Sequence, residues 1–234
     1  MQIKNKMPKL EIIPTVLTAD YDELTKLVSY VRGLCPVVQI DFCDGLFVGN
    51  KTWPYSSGEH PSADTELPFP GEFDYEFDIM ARHPEKSIDG YMEMNPSRVI
   101  FHIESTDEDG LIEAAEKAHD EELMVGLSSS NDIDMAVLKE RIMKLEGLGI
   151  KPFVQLMGIA NVGFKGQPFD ERVLGRIKEL RGQFPELDIS VDGSVNMDTL
   201  PRLREAGANR FVIGSALMLS GDVPGMLKKF EALL

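Results

Sequence analysis

The sequence predicts a closed (β/α)8 barrel, and three observations predict it. Short apolar runs that end in polar residues recur eight times along the 234 residues. Most intervals between them carry apolar residues at helical spacing. The length suits one barrel of this kind, which commonly runs to about 250 residues. Strict strand–helix alternation implies a parallel sheet with right-handed crossovers, and eight such units close it. An open doubly wound sheet is the competing arrangement and usually has fewer strands. Residues 1–234 are therefore read as one barrel domain.

Strands are expected at Leu10–Pro14, Val37–Asp41, Tyr75–Ile79, Arg98–His102, Leu123–Leu127, Pro152–Met157, Leu187–Val191 and Arg210–Ile213. Asp20 and Glu23 have capping-box spacing before the stripe Leu24, Leu27, Val28 and Val31. Asn131 or Asp132 is expected to cap a helix carrying Met135, Leu138, Ile142 and Leu145. Asp170 precedes Val173, Leu174, Ile177 and Leu180, and Asp222 precedes Pro224, Met226, Leu227 and Phe230. Gly33, Gly149 and Gly207 follow helical patterns, where a helix ends. The interval 51–73 is the exception. It is rich in Pro, Gly and Ser and has no helical stripe, so a loop is expected to shorten or replace the second helix. That loop either covers the mouth of the barrel or decorates its surface.

The formal net charge of −15 argues against nucleic acid as a partner, because phosphate backbones are held by clustered Lys and Arg. It leaves room for a small anion held by backbone N–H groups. No apolar run is long enough for a membrane helix. Met1–Leu10 alternates Lys with apolar residues and lacks a signal peptide's apolar stretch, so a cytoplasmic protein is expected. Cys35 and Cys43 flank the strand Val37–Asp41, too far apart for a disulfide, and both are read as reduced.

In such barrels the chemistry sits at the C-terminal ends of the strands. Those ends carry Thr15, then Gln39 and Asp41, then Asp78 and Met80, then His102 and finally Asp192. Gln39 and Asp41 are two apart and share a side of their strand. Glu76 has the same parity as Asp78 and replaces it if the register slips by two. Asp44 precedes Gly45 and is read as a turn residue. His102 either faces the site or is satisfied by a neighbour, and Glu104 is read as structural. Turns bearing Gly163, Phe164, Lys165 and Gly166, then Gly193 and Ser194, then Gly214 and Ser215, follow the last three strands. Glycine lets backbone N–H groups approach an anion closely, so these turns are expected to hold a phosphate. The side chain of Lys165 is expected to face solvent. No lysine occupies a strand end, which disfavours a Schiff-base aldolase.

Ile13-Pro14-Thr15-Val16-Leu17-Thr18-Ala19-Asp20, Asp41–Val48, Gly163-Phe164-Lys165-Gly166-Gln167, Val191-Asp192-Gly193 and Ile213-Gly214-Ser215-Ala216 resemble, in order and spacing, the pentose-5-phosphate 3-epimerases. The resemblance runs nearly end to end and is weakest over 51–73. It implies a ribulose-phosphate-binding barrel that acts on a phosphorylated sugar. Asp41 and Asp192 would be the acid–base pair, working through an enediolate, and Thr15 would stand for a substrate-contacting serine. It also implies a divalent metal held by two aspartates and two histidines. Here Gln39 and Asp78 stand where the histidines would be, and Cys43 where a methionine would be.

The metal set implied is therefore Asp41, Asp78, Asp192 and Gln39. Three carboxylates and an amide leave one negative charge after a divalent ion, where the family's set leaves none. An all-oxygen set favours Mg²⁺ or Mn²⁺ over Zn²⁺. Without an ion, at least one carboxyl must be protonated. No nucleotide cofactor is expected. Relatives commonly form dimers or larger assemblies, so a homo-oligomer is expected. The rival readings are a lyase or decarboxylase on a related substrate and a sugar-phosphate-binding protein without catalysis.

Overall fold

A computed structural model describes residues 8–234. Met1–Met7, most of the stretch that lacks a signal peptide's apolar run, lies outside the described residues. The elements follow one another as β1 (Glu11–Val16), α1 (Tyr21–Ser29), β2 (Val37–Cys43), β3 (Asp74–Met80), α2 (Ile88–Glu93), β4 (Arg98–His102), α3 (Glu108–Asp120), β5 (Met124–Ser129) and α4 (Met135–Gly147). They continue as β6 (Phe153–Met157), α5 (Arg172–Gln183), β7 (Ile189–Asp192), α6 (Thr199–Ala206), β8 (Arg210–Ile213), α7 (Ser215–Met218) and α8 (Val223–Glu231). The eight strands pair in chain order, all parallel, and β8 closes onto β1. This is the (β/α)8 barrel that the alternation predicts.

Four helices, α1, α3, α4 and α8, start where a side chain satisfies one of their first N–H groups. Asp20 accepts from Glu23 N at 2.7 Å, and Asp222 from Gly225 N at 3.0 Å. The cap of α4 is Asp134, which accepts from Ala136 N at 2.8 Å. This corrects the expectation of Asn131 or Asp132, since the chain needs one more turn before it can enter the helix. Gly207 ends α6 with φ +116°, a conformation that a side chain would disfavour. β5 and β7 run to Ser129 and Asp192, past their apolar runs, because the barrel interior is polar at this end.

Between β2 and β3 the chain forms a short 3-10 turn, Tyr55–Ser57, where a full helix would lie. Its aromatics fill the helix's place against the outer face of the sheet. The rings of Trp53 and Phe42 lie 6.2 Å apart, Phe42 stacks edge-on against Tyr91 at 5.3 Å, and the Tyr55 and Tyr91 hydroxyls meet at 2.6 Å. Burying each such ring stabilises the fold by about 1.5–3 kcal/mol. None of residues 51–73 lines the central cavity; Trp53, Tyr55 and Phe73 are buried against the barrel, and Thr52 Oγ1 donates to Asp41 O at 2.7 Å.

The floor of the barrel, at the N-terminal strand ends, is closed by charges in opposite pairs. Arg98 Nη1 lies 3.0 Å from Glu11 and 3.4 Å from Glu76. Arg210 Nε lies 3.3 Å from Glu11, and its other nitrogen pairs with the fully buried Glu76. The Arg210 guanidinium also sits 4.1 Å above the centre of the Phe153 ring. Glu76 thus belongs to the floor.

Candidate active site

At the opposite end, β1, β2, β3 and β7 bring polar side chains inward. Thr15 pairs with Gln39 and Asp41 with Asp78 across the sheet, so the alternation of the strands turns these groups to the same, inward side. Thr15 Oγ1 donates to Asp41 Oδ1 at 2.8 Å. Gln39 Nε2 donates to the same oxygen at 2.8 Å and to Asp192 Oδ2 at 3.3 Å. One neutral amide therefore ties the two aspartates together across the barrel.

Asp78, in register with Asp41, is fully buried. His102 Nε2 meets its Oδ1 at 2.8 Å, and Gln155 Nε2 donates to its Oδ2 at 3.0 Å. The Nε2 of His102 is thus paired with a neighbour that is part of the site, while its buried Nδ1 has no hydrogen-bond partner. Asp44 does what its Asp-Gly context implies. Its carboxylate accepts from Leu46 N at 2.7 Å, Phe47 N at 2.9 Å and Arg82 N at 2.8 Å. Cys35 and Cys43 are both free and buried. Cys43 packs with Val48 and Met80, its sulfur 3.9 Å from that of Met80.

The electrostatics follow from this crowding. Burial raises the pKa of Asp41 to about 7, the charge of Asp78 pushes the same way, and the Gln39 and Thr15 hydrogen bonds oppose it. Asp192 rises well above the carboxylate range, through burial and then the charges of Asp41 and Asp78. Burial disfavours the cation of His102, yet the charge and hydrogen bond of Asp78 outweigh it and raise its pKa. Two facing carboxyls that cannot both ionise share protons as a pair.

One oxygen each of Asp41, Asp78 and Asp192 lies within 4.8 Å of the other two. Gln39 Oε1 is buried and has no hydrogen-bond partner, while Nε2 of the same amide contacts Asp41 and Asp192. Three converging carboxylates and an orphaned amide oxygen fit a hard divalent ion, which takes oxygen ligands.

Thr15, Met80, Gly163, Phe164, Lys165, Gly166, Gly193, Ser194, Gly214 and Ser215 all line one cavity, and Asp41 and Asp192 form part of its wall. Gln39 and Asp78 lie behind that wall. Gly193 has φ +100°, and a Cβ there would sit 2.8 Å from Ile159 Cγ1, so only glycine fits the turn beside Asp192. The loop after β6 is stapled by Gln167, whose Oε1 accepts from Asn161 N at 3.0 Å while its Nε2 donates to Phe164 O at 3.1 Å. Lys165 is exposed as expected, but it lines the cavity and its charge acts on Asp41.

Sequence reasoning missed two contributors. Met157 lines the cavity from β6. Gln155 lies two residues earlier with the same inward parity, and a glutamine inside an apolar strand was the available signal.

A family model described as "Ribulose-phosphate 3 epimerase family" matches residues 11–218. The ribulose-phosphate 3-epimerase of Treponema pallidum is 29% identical over 228 residues, covering 93% of this chain and 95% of that one. That of Eremothecium gossypii is 27% identical over 225 residues, covering 92% and 89%. Among solved structures, KGPDC from Streptococcus mutans superposes with a TM-score of 0.66 at 13% identity, covering 96% of this chain and 97% of that one. The 3-hexulose-6-phosphate synthase of Salmonella typhimurium gives 0.63 at 14%, covering 96% and 98%. These two share the barrel; the match over 11–218 goes further, and the chain belongs to the ribulose-phosphate 3 epimerase family.

Proposed function

We propose that the protein is a cytoplasmic isomerase that epimerises a pentulose 5-phosphate-like sugar by proton transfer beside a carbonyl. The observation that carries this reading is the placement of Asp41 and Asp192. They stand in the wall of one cavity, tied by a single amide, with glycine turns beside them. Inversion at a carbon needs one group to remove a proton from one face and another to return one to the opposite face. Asp41 is raised to about 7 and Asp192 well above the carboxylate range, so the pair holds a proton near neutrality, with one member able to give while the other accepts. The turns at Gly163, Gly193 and Gly214 present backbone N–H groups to the phosphate, and Thr15 and Met80 line the sugar's seat.

Asp41, Asp78, Asp192 and Gln39 would hold a divalent ion, with Mg²⁺ or Mn²⁺ preferred over Zn²⁺ because every donor is oxygen. When bound, it supplies positive charge to the enediolate oxygen. Thr15 and Gln39 orient Asp41, while His102 and Gln155 orient Asp78. The lyase reading is weaker because the cavity's lysine comes from a loop and no strand end supplies one.

The test is loss of the C3 proton of ribulose 5-phosphate in D₂O, followed by NMR with Mg²⁺, Mn²⁺, Zn²⁺ or chelator. Exchange that falls by about 10³-fold in both Asp41→Asn and Asp192→Asn supports the pair, as expected for positioned acid–base groups. Absence of exchange with every metal, alongside retained sugar-phosphate binding, would favour a non-catalytic binding protein.

A further inference from the structure

We propose that Lys165 is a catalytic residue, whose ε-ammonium crosses the mouth on the loop after β6 and neutralises the oxyanion that forms beside Asp41. This rests on the proton-transfer reading and adds a residue that the strand ends do not supply.

Four observations carry it. The loop after β6 reaches across the mouth to the loop after β2. Asn50 Nδ2 donates to Gly163 O at 3.2 Å, and a Cβ on Gly163 would lie 2.8 Å from Val48 Cγ2. In an eight-stranded ring β2 and β6 are diametrically opposed, so the loop is a strap across the site.

The strap is tied at its base by Gln167, and its glycines Gly163 and Gly166 adopt φ +84° and +73°. A Cβ on Gly166 would meet nothing within 4 Å, which leaves the tip beside it unobstructed.

Lys165 is also the one cation among the described residues that line the cavity, and it forms no ion pair there. A lysine left unpaired in a cavity whose wall also carries two carboxyls is available to an anion that arrives with the substrate.

Finally, the strap meets the loop that follows β2, the strand that carries Asp41, while the turns after β7 and β8 already offer neutral N–H donors for a phosphate. Lys165 is thus carried on the side of the cavity where the proton moves.

In the step itself, one aspartate takes the proton from the carbon and the C–H electron pair forms the enediolate double bond. The carbonyl π pair moves onto oxygen. Lys165 donates a hydrogen bond to that oxygen and keeps its own proton. The other aspartate protonates the carbon from the opposite face, and the electrons return to re-form the carbonyl.

The experiment compares wild type, Lys165→Met and Lys165→Arg as full-length proteins. It measures kcat and KM for proton exchange, and calorimetric affinity for inorganic phosphate and for a phosphorylated hydroxamate, a planar anionic mimic of the enediolate. Lys165→Met should lower kcat and hydroxamate affinity by about 100-fold, the usual cost of one oxyanion donor. KM and phosphate affinity should stay within about threefold, because the ground state does not use the interaction. Lys165→Arg should recover to within about tenfold of wild type.

Unchanged kcat and hydroxamate affinity in Lys165→Met would overturn the proposal. A loss confined to phosphate affinity would overturn it too, by placing Lys165 on the phosphate. If wild type exchanges no proton, the epimerase reading falls by itself, and the hydroxamate comparison still decides Lys165.

Discussion

The two ends of the barrel bury similar numbers of acidic groups and treat them differently. At the floor, Glu11 and Glu76 meet Arg98 and Arg210 in opposite-charge contacts. At the mouth, Asp41, Asp78 and Asp192 meet neutral donors from Thr15, Gln39 and Gln155, and one imidazole. The floor is finished: each charge has its counter-charge from the chain. The mouth is left short of positive charge, and such a site takes up protons or a cation from outside. The contrast separates what holds the barrel from what works in it.

Breaking the mouth should cost rate and spare stability. Asp41→Asn and Asp192→Asn should each slow exchange by about 10³-fold. Neither should lower the urea midpoint at pH 7, because each removes a like charge from a crowded cluster. A clear fall in stability in both would show that the cluster holds the fold.

Breaking the floor should do the reverse. Arg210→Met strands the buried Glu76 and should destabilise by about 3–5 kcal/mol in urea unfolding. Exchange per folded molecule should persist, and its loss would tie the two ends together. Gln39→Leu sits between these extremes. It removes the amide that bridges Asp41 and Asp192 and should cost about 1–3 kcal/mol at pH 8, with less at pH 5 where a shared proton relieves the pair.

The remaining effect is a slope. Asp41 titrates near 7 in the fold and near the ordinary carboxylate value when unfolded, so between those values the folded state binds more protons. Its stabilising contribution is complete below the unfolded value and is lost as pH rises to 7. Chelated protein should therefore weaken from pH 4 to pH 7 in thermal melts on this account, and Mn²⁺ should flatten the trend. A slope indifferent to Mn²⁺ would remove the three carboxylates as its ligands.

Much of this was legible because it depends on periodicity and parity. Alternating runs implied the barrel, and the spacing of Gln39 and Asp41 put both inward. The glycines after β6, β7 and β8 marked turns that line the cavity. What escaped depends on stagger between strands. His102 and Asp78 are 24 residues apart, and only the offset of β3 against β4 brings ring and carboxylate together. Gln155 carried a signal, a glutamine inside an apolar strand, but its partner Asp78 lies 77 residues away and is reached only through the fold. Asn131, Asp132 and Asp134 are all able caps within four residues, and the backbone path alone selects Asp134. Lys165 is exposed as expected and lines the cavity as well, because exposure and reach into a cavity are compatible for a long side chain on a strap.

Asp78 and His102 lie behind the cavity wall, out of reach of any sugar, while Asp41 and Asp192 feel the charge of Asp78 through it. Substrate choice and proton affinity are thus assigned to different residues. Wall positions such as Met80, Met157 and Phe164 can change shape for a new sugar without disturbing the groups that tune the acid–base pair. The architecture is modular in that sense, and a library that varies the wall while fixing Asp78, His102 and Gln155 is a short route to altered specificity.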